Sequence, residues 1–323
     1  MTDMEAGPYS LVDDLKAVVT PVEQEDTMAE AGRKILVVDF IKILQNESGS
    51  RLGDDIENVH DMRVATRRTR SALRLLEGYY KSSVIHPFME NLKLLGKYLG
   101  AVRDLDVLIL DLQRCQAELN DEGKAAIQPT VDQLDKKRRK ARKKLINLLD
   151  SDQYNDFVHD YTDFLTHSGA GAKQIDPDVI EPYQVRHVIP GLLHEHLAAV
   201  RAYDNVIESA SPSTLHALRI EFKRLRYATS FFHEVLGNTG DDFIGEIKTI
   251  QDHLGRTQDI TVAQEYLNTM IEDGAIEAEV LQTYLAELQA ETEKLETAFP
   301  AVWQRFNTRS VQSKLSNALL ALR

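Results

Sequence analysis

Apolar side chains recur along most of this chain at intervals of three and four residues, the spacing that lines one side of an α-helix. The clearest case runs from Val59 to Leu76. There Met62, Thr66, Thr69, Leu73 and Leu76 fall on one side, while His60, Arg63, Arg67, Arg70 and Arg74 share a narrow sector opposite. The pattern predicts a helix with one face for a core and one for anions. Leu215 to Phe232 repeats the design, with Leu218, Phe222, Leu225 and Phe232 set against His216, Arg219, Lys223 and Arg226.

The same reading places helices around these two. One runs from about Met28 to Asn46, apolar on most sides through Ile35, Leu36, Val37, Val38, Phe40, Ile41 and Leu44, and so suited to burial. Its counterpart spans Tyr183 to Asn205, where Pro190 is expected to kink the helix or mark a restart. Pro87 opens a helix through Leu99 that stops at Gly100, and Asp104 stands where the cap of the next helix belongs, with Gly255 and Asp259 repeating that punctuation. The alternative for Asp104 and Asp259 is to orient a nearby arginine or lysine. Further helices follow over about 152–167 and 301–323, with Trp303 and Phe306 in the core.

A second pair of landmarks makes the repeat convincing. YLGAVRDLDV, Tyr98 to Val107, answers HLGRTQDITV, His253 to Val262, and the two copies stay in register to within one residue. His, Arg and Gly persist between them while Asp61 becomes Ala217. A chain of 323 residues with 43% hydrophobic content is long enough for about two domains. We place them at 27–175 and 176–323, after a flexible acidic tail over 1–26 with at most a short helix near Leu11 to Val19.

Charge alters this picture by its distribution. The formal net charge is −13, yet the cations cluster at Arg63 to Arg74, Lys136 to Lys144 and Arg219 to Arg226. The acids dominate Met1 to Asp26 and Glu265 to Glu296. A basic interior within an acidic shell would admit a polyanion at one place and repel it elsewhere. The lone Cys115 can form no internal disulfide, no apolar run approaches the roughly 20 residues of a membrane span, and the N-terminus lacks signal-peptide order. The expected home is the cytoplasm, with no membrane association.

Arg63 to Arg74 covers about 16 Å of helix, and guanidinium groups fork onto phosphate oxygens, so the row suits a linear polyanion better than one nucleotide. His60 and His216 each lie a turn from an arginine, placed either to donate to phosphate or to brace the guanidinium. Arg68 and Arg224 complete the candidate set on these helices. Lys97, with Lys93, Arg103 and Lys248, fits a secondary anion contact or an ordinary surface role. In the run Lys136 to Lys144, the residues Lys136, Arg139, Lys140 and Lys143 share a face that is either solvated or an anion contact through Arg139 and Lys143. The corresponding segment of the second copy, about 278–298, is acidic. His187, His194 and Arg201, seven apart, form either a solvated stripe or a further basic wall, and His86, His159, His167, His196 and His233 read as structural.

The pattern His-x-x-Arg-(Val/Ile)-x-x-(Arg/Lys)-Arg-x-Arg, followed by Leu-Gly-x-x-(Arg/Gln)-Asp, resembles the CHAD domain, the conserved-histidine α-helical domain, from about Thr27 to Arg323. The resemblance implies an all-α fold of two pseudo-symmetric helical-bundle repeats around a basic central pore. It also implies binding of inorganic polyphosphate, often at polyphosphate granules. Two rival classes are weaker. The dipeptides His60-Asp61 and His159-Asp160 would serve a metal-dependent phosphohydrolase, but Ala217 breaks the pattern and no third ligand has helical spacing. Single-stranded nucleic acid calls for aromatics among the cations, and these faces offer chiefly Tyr227. There is no P-loop and no Glu-x-Glu-x-Glu strand. The expectation is a binding protein with no catalytic residue, metal or cofactor.

Overall fold

The computed structural model describes residues 8–274 and 276–322. Within them lie eleven α-helices: α1 Pro8–Ala17, α2 Met28–Leu52, α3 Ile56–Leu76, α4 Ser82–Glu118, α5 Asp121–Leu149, α6 Asp152–Thr166, α7 Val185–Arg201, α8 Pro212–Phe231, α9 His233–Glu272, α10 Ala278–Phe306 and α11 Arg309–Leu319. Among the described residues there is no strand, only the isolated bridges Thr27 to Gln184 and Tyr80 to Ala172. The fold is all-α, as the periodicity requires.

Two compact units emerge. One comprises residues 8–104, Arg138–Gly191 and Leu322, the other Leu105–Lys137 and Leu192–Ala321, so α4, α5 and α7 each contribute to both. In the first, α2 and α3 pack Leu36, Phe40 and Ile43 with Met62, Leu73 and Leu76, all fully buried. Phe88, Phe157, Tyr161 and Phe164 add an aromatic cluster, with Phe40 and Tyr161 edge to face at 4.8 Å. In the second, Phe222 meets Trp303 and Phe306 edge to face at 6.1 and 5.1 Å, and Ile109, Leu112, Ile127, Ile260, Leu267 and Leu281 form a further cluster.

Several sequence expectations are corrected. α4 runs unbroken through Pro87, Gly100 and Asp104, and α9 through Gly255 and Asp259, so neither aspartate is a cap. Pro87 and Pro190 both sit six residues into their helices, where a missing donor removes one bond near the end of the ladder; α7 continues through Pro190 to Arg201. The break in α9 falls instead at Gly237, whose φ of 61° and ψ of −165° only glycine adopts readily. Residues 1–7 of the expected tail lie outside the described residues, but from residue 8 onward the segment is docked. Leu15 of α1 and Val22 are buried, and Asp26 takes a 2.8 Å ion pair from Lys34 of α2. The connection between α6 and α7 is tied to the body at both ends, by Lys173 N–H to Tyr79 O at 2.9 Å and by Met28 N–H to Tyr183 O and Val185 N–H to Asp26 O, each 2.9 Å.

Candidate functional site

The chain builds α3 so that its basic face is held out while its other face is locked down. Asp55 caps the helix by accepting from Glu57 N–H at 2.9 Å. Thr66 and Thr69, polar residues on the core side, are fully buried because each hydroxyl donates back to a carbonyl one turn earlier, Met62 O at 2.7 Å and Ala65 O at 3.0 Å. Opposite them stand His60, Arg63, Arg67, Arg70 and Arg74.

Facing this row is one stripe of α4: Gly96, Gly100, Arg103 and Asp104. A Cβ on Gly96 would lie 3.4 Å from Arg70 Nη1, and one on Gly100 would lie 3.7 Å from Arg63 Nε. Gly100, read from the sequence as a stop, and Gly96 are thus the places where arginines of α3 reach α4. Asp104 takes the alternative role, forming an ion pair with Arg63 at 3.7 Å. Arg103 pairs with Glu57 at 3.4 Å. Arg67, Arg70 and Arg74 form no ion pair among the described residues, and Arg70 Nε is buried without a hydrogen-bond partner. Burial and the adjacent Arg74 pull the Arg70 guanidinium below its usual range, against Glu90. Burial and the Arg103 cation likewise hold the half-buried His60 imidazole below the ordinary histidine value, with Arg67 adding to the effect and Glu57 and Asp61 opposing it.

Arg68 is placed differently from its neighbours. Its Nε lies 3.1 Å from both carboxylate oxygens of Asp39, a buried residue of α2. Burial pushes the Asp39 carboxyl up, and Arg68 and Lys42 pull it back. Arg68 therefore fastens α3 to α2.

On α8, Ser211 caps the start and Pro212 occupies the first turn. His216 Nδ1 lies 2.7 Å from Gln258 Oε1, and since an amide oxygen only accepts, the ring nitrogen is the donor. Arg219 and Lys223 are half-buried beside it in sequence, and Arg226 lies with Cζ 5.6 Å from the centroid of the Tyr227 ring. Arg224 pairs with Glu221 at 2.7 Å on the surface. In each copy, the histidine of the first landmark is coupled to the Arg or Gln of the second: His60 feels the charge of Arg103, and His216 hydrogen-bonds Gln258. Lys97, Arg139 and Lys143 are exposed, as are His187, His194 and Arg201. Gln258 and Gly96 are the contacts that the sequence reading missed; the four-residue spacing of Gly96 and Gly100 was the available signal.

Among the described residues no three His, Cys, Asp or Glu side chains stand close enough to hold a metal ion, and no helix is long and apolar enough to cross a membrane. The family model of the CHAD domain matches residues 35–268. Among solved structures, the chain is similar to the CHAD domain from the plant Ricinus communis at 22% identity and a TM-score of 0.66, covering 95% of this chain and 96% of that one. It is also similar to PptA from Streptomyces chartreusis at 18% identity and a TM-score of 0.57, covering 88% of this chain and 100% of that one. At these identities the likeness establishes the fold. No curated protein matches.

Proposed function

This chain belongs to the CHAD domain family, and we propose that it binds inorganic polyphosphate, without turning it over, through the basic rows of α3 and α8. One observation carries the reading. Arg67, Arg70 and Arg74 stand along one face without an ion pair among the described residues, and Arg70 keeps a buried donor unsatisfied. A buried unpaired donor is costly, and an array of such cations is stabilised when an anion arrives. The repeat of three to four residues suits a chain with charge at every unit better than a compact nucleotide.

The row of α3 and the row of α8 are each a polyphosphate contact in this proposal. The protein then resides in the cytoplasm, at polyphosphate granules. His60 is poorly suited to hold a metal ion, since Arg103 and Arg67 beside it repel a second cation. That supports binding over metal-assisted hydrolysis. The test is a titration with long-chain polyphosphate, RNA, ATP and orthophosphate, with product analysis of the same mixtures. Tight, selective binding of the long chain with no orthophosphate released is the expected result. Release of orthophosphate, or preference for RNA, refutes the proposal.

A further inference from the structure

The cations of Lys136 to Lys144, in the middle of α5, divide by direction. Arg142 turns inward. Its guanidinium lies against Gly53, the left-handed residue that ends α2, so closely that a Cβ there would come within 1.9 Å of Arg142 Cζ. Arg142 Nη1 donates to Leu52 O at 3.4 Å, and Arg142 Nε is buried without a hydrogen-bond partner. Leu145 and Leu149 are buried on the same side of the helix. This side of α5 is thereby pinned beside the turn from which α3 starts.

Arg139, Lys140, Lys143 and Lys144 remain exposed. The helical neighbours of Lys140 three and four residues away in both directions are Lys136, Lys137, Lys143 and Lys144. Like charges at those spacings repel and weaken a helix, and Lys140, Lys143 and Lys144 have no ion pair among the described residues to offset the repulsion. Packing does not account for them, since the core contacts of α5 lie on its other side. The run contains no aromatic residue, which suits bare phosphate rather than bases that need a stacking partner. The end of α2 that Arg142 touches leads directly, through Asp54 and the capping Asp55, into α3.

We infer that Arg139, Lys140, Lys143 and Lys144 form a second polyphosphate contact, reached only by chains long enough to pass the turn between α2 and α3. The inference rests on the reading that the α3 row binds polyphosphate. Once one segment of a chain is held there, its free end is concentrated near α5, and contact strengthens binding without a second association cost. Tripolyphosphate, in this inference, engages the α3 row alone.

The experiment compares the full chain with the triple variant Lys140→Gln, Lys143→Gln, Lys144→Gln, its helical circular dichroism first matched to wild type. Each is titrated with tripolyphosphate and with long-chain polyphosphate over a range of salt. The expected result is a loss of about tenfold or more in long-chain affinity, a salt slope shallower by roughly two to three, and unchanged tripolyphosphate affinity. Undiminished long-chain binding, or an equal loss with both ligands, overturns the inference while leaving the α3 site standing. Wild type that binds neither ligand sinks the underlying reading and this one with it. Single-stranded RNA held more tightly than long polyphosphate, and lost in the variant, assigns the face to nucleic acid and overturns it as well.

Discussion

The two basic helices share one sequence pattern and put it to unequal use. On α3 the row is long, running from His60 to Arg74, with Arg103 and Asp104 of α4 set against its start. On α8 the row ends sooner: Ser230 stands where the first copy has Arg74, and Gln258 where it has Arg103. The clearest contrast is between Arg68 and Arg224. The first reaches a buried aspartate of another helix, the second a surface glutamate one turn back on its own. The same arginine in the same motif is thus a fastening in one copy and an exposed charge in the other. A motif residue takes its role from its partner, and the sequence pattern records only the residue.

The comparison breaks most visibly in binding. Arg63→Ala with Arg67→Ala is expected to weaken polyphosphate binding by about 3–6 kcal/mol, two charge-assisted bonds at their usual worth. Arg219→Ala with Lys223→Ala should cost less, because the α8 row is shorter. Titration calorimetry with long-chain polyphosphate measures both. Equal losses, or a larger loss from α8, would reverse the ranking of the two helices.

Stability comes next. Arg68→Ala leaves the buried Asp39 carboxylate with only Lys42, at 3.7 Å, and should cost about 2–3 kcal/mol. Arg224→Ala breaks an exposed pair and should cost at most about 1 kcal/mol. Ligand-free thermal unfolding of the two variants decides the matter, and similar shifts in Tm would show that the Asp39 contact carries no special weight.

Much of this contrast was legible in the sequence, though not all of it. The period of three to four residues gave α3 and α8, their core sides and their basic sides, because burial of Met62, Leu73, Phe222 and Leu225 leaves no other way to turn the helices. Helix ends were harder. Gly100 and Asp104 have the chemistry of a stop and a cap, and local chemistry cannot reveal that Arg63 of another helix packs against both. Nor could periodicity separate Arg68 from Arg67, since adjacent positions on a helix differ by about 100° and the buried acid that claims Arg68 lies on another helix.

Proton linkage sharpens the comparison at a smaller scale. His60 is held below its ordinary pKa by burial and by Arg103, so in the empty protein it favours the neutral form. That preference adds stability above the unfolded-state value of about 6.5 and is lost as pH falls below it. A polyanion raises the same pKa, so binding should take up protons and strengthen as pH falls toward 6.5. Calorimetry in buffers of different ionisation enthalpy reads the uptake. His60→Gln should diminish it, and Arg103→Gln, which gives the first copy the residue of the second, should diminish it too by letting His60 protonate before the ligand arrives. Uptake unchanged in both variants would assign His60 to bracing alone.

The smallest effect is at Gly96. Alanine there is expected to favour the helix by roughly 0.5–1 kcal/mol, and its Cβ, 3.4 Å from Arg70 Nη1, makes an ordinary van der Waals contact with the guanidinium. Gly96→Ala should therefore raise the unfolding temperature slightly and leave polyphosphate binding unchanged. A loss of binding would show that the row needs the bare glycine surface beside Arg70.

The connection from α6 to α7 has a practical consequence. Its two ends are hydrogen-bonded to the body, at Lys173 and at Tyr183 to Val185, while Ile180 between them is fully exposed. Each end holds its place independently of the other, so the segment joining them contributes continuity of the backbone and little else. New chain termini, a protease site or an inserted reporter domain should be accommodated there, which makes Asp178 to Glu181 the natural opening for a circular permutant whose two basic helices keep their own supports.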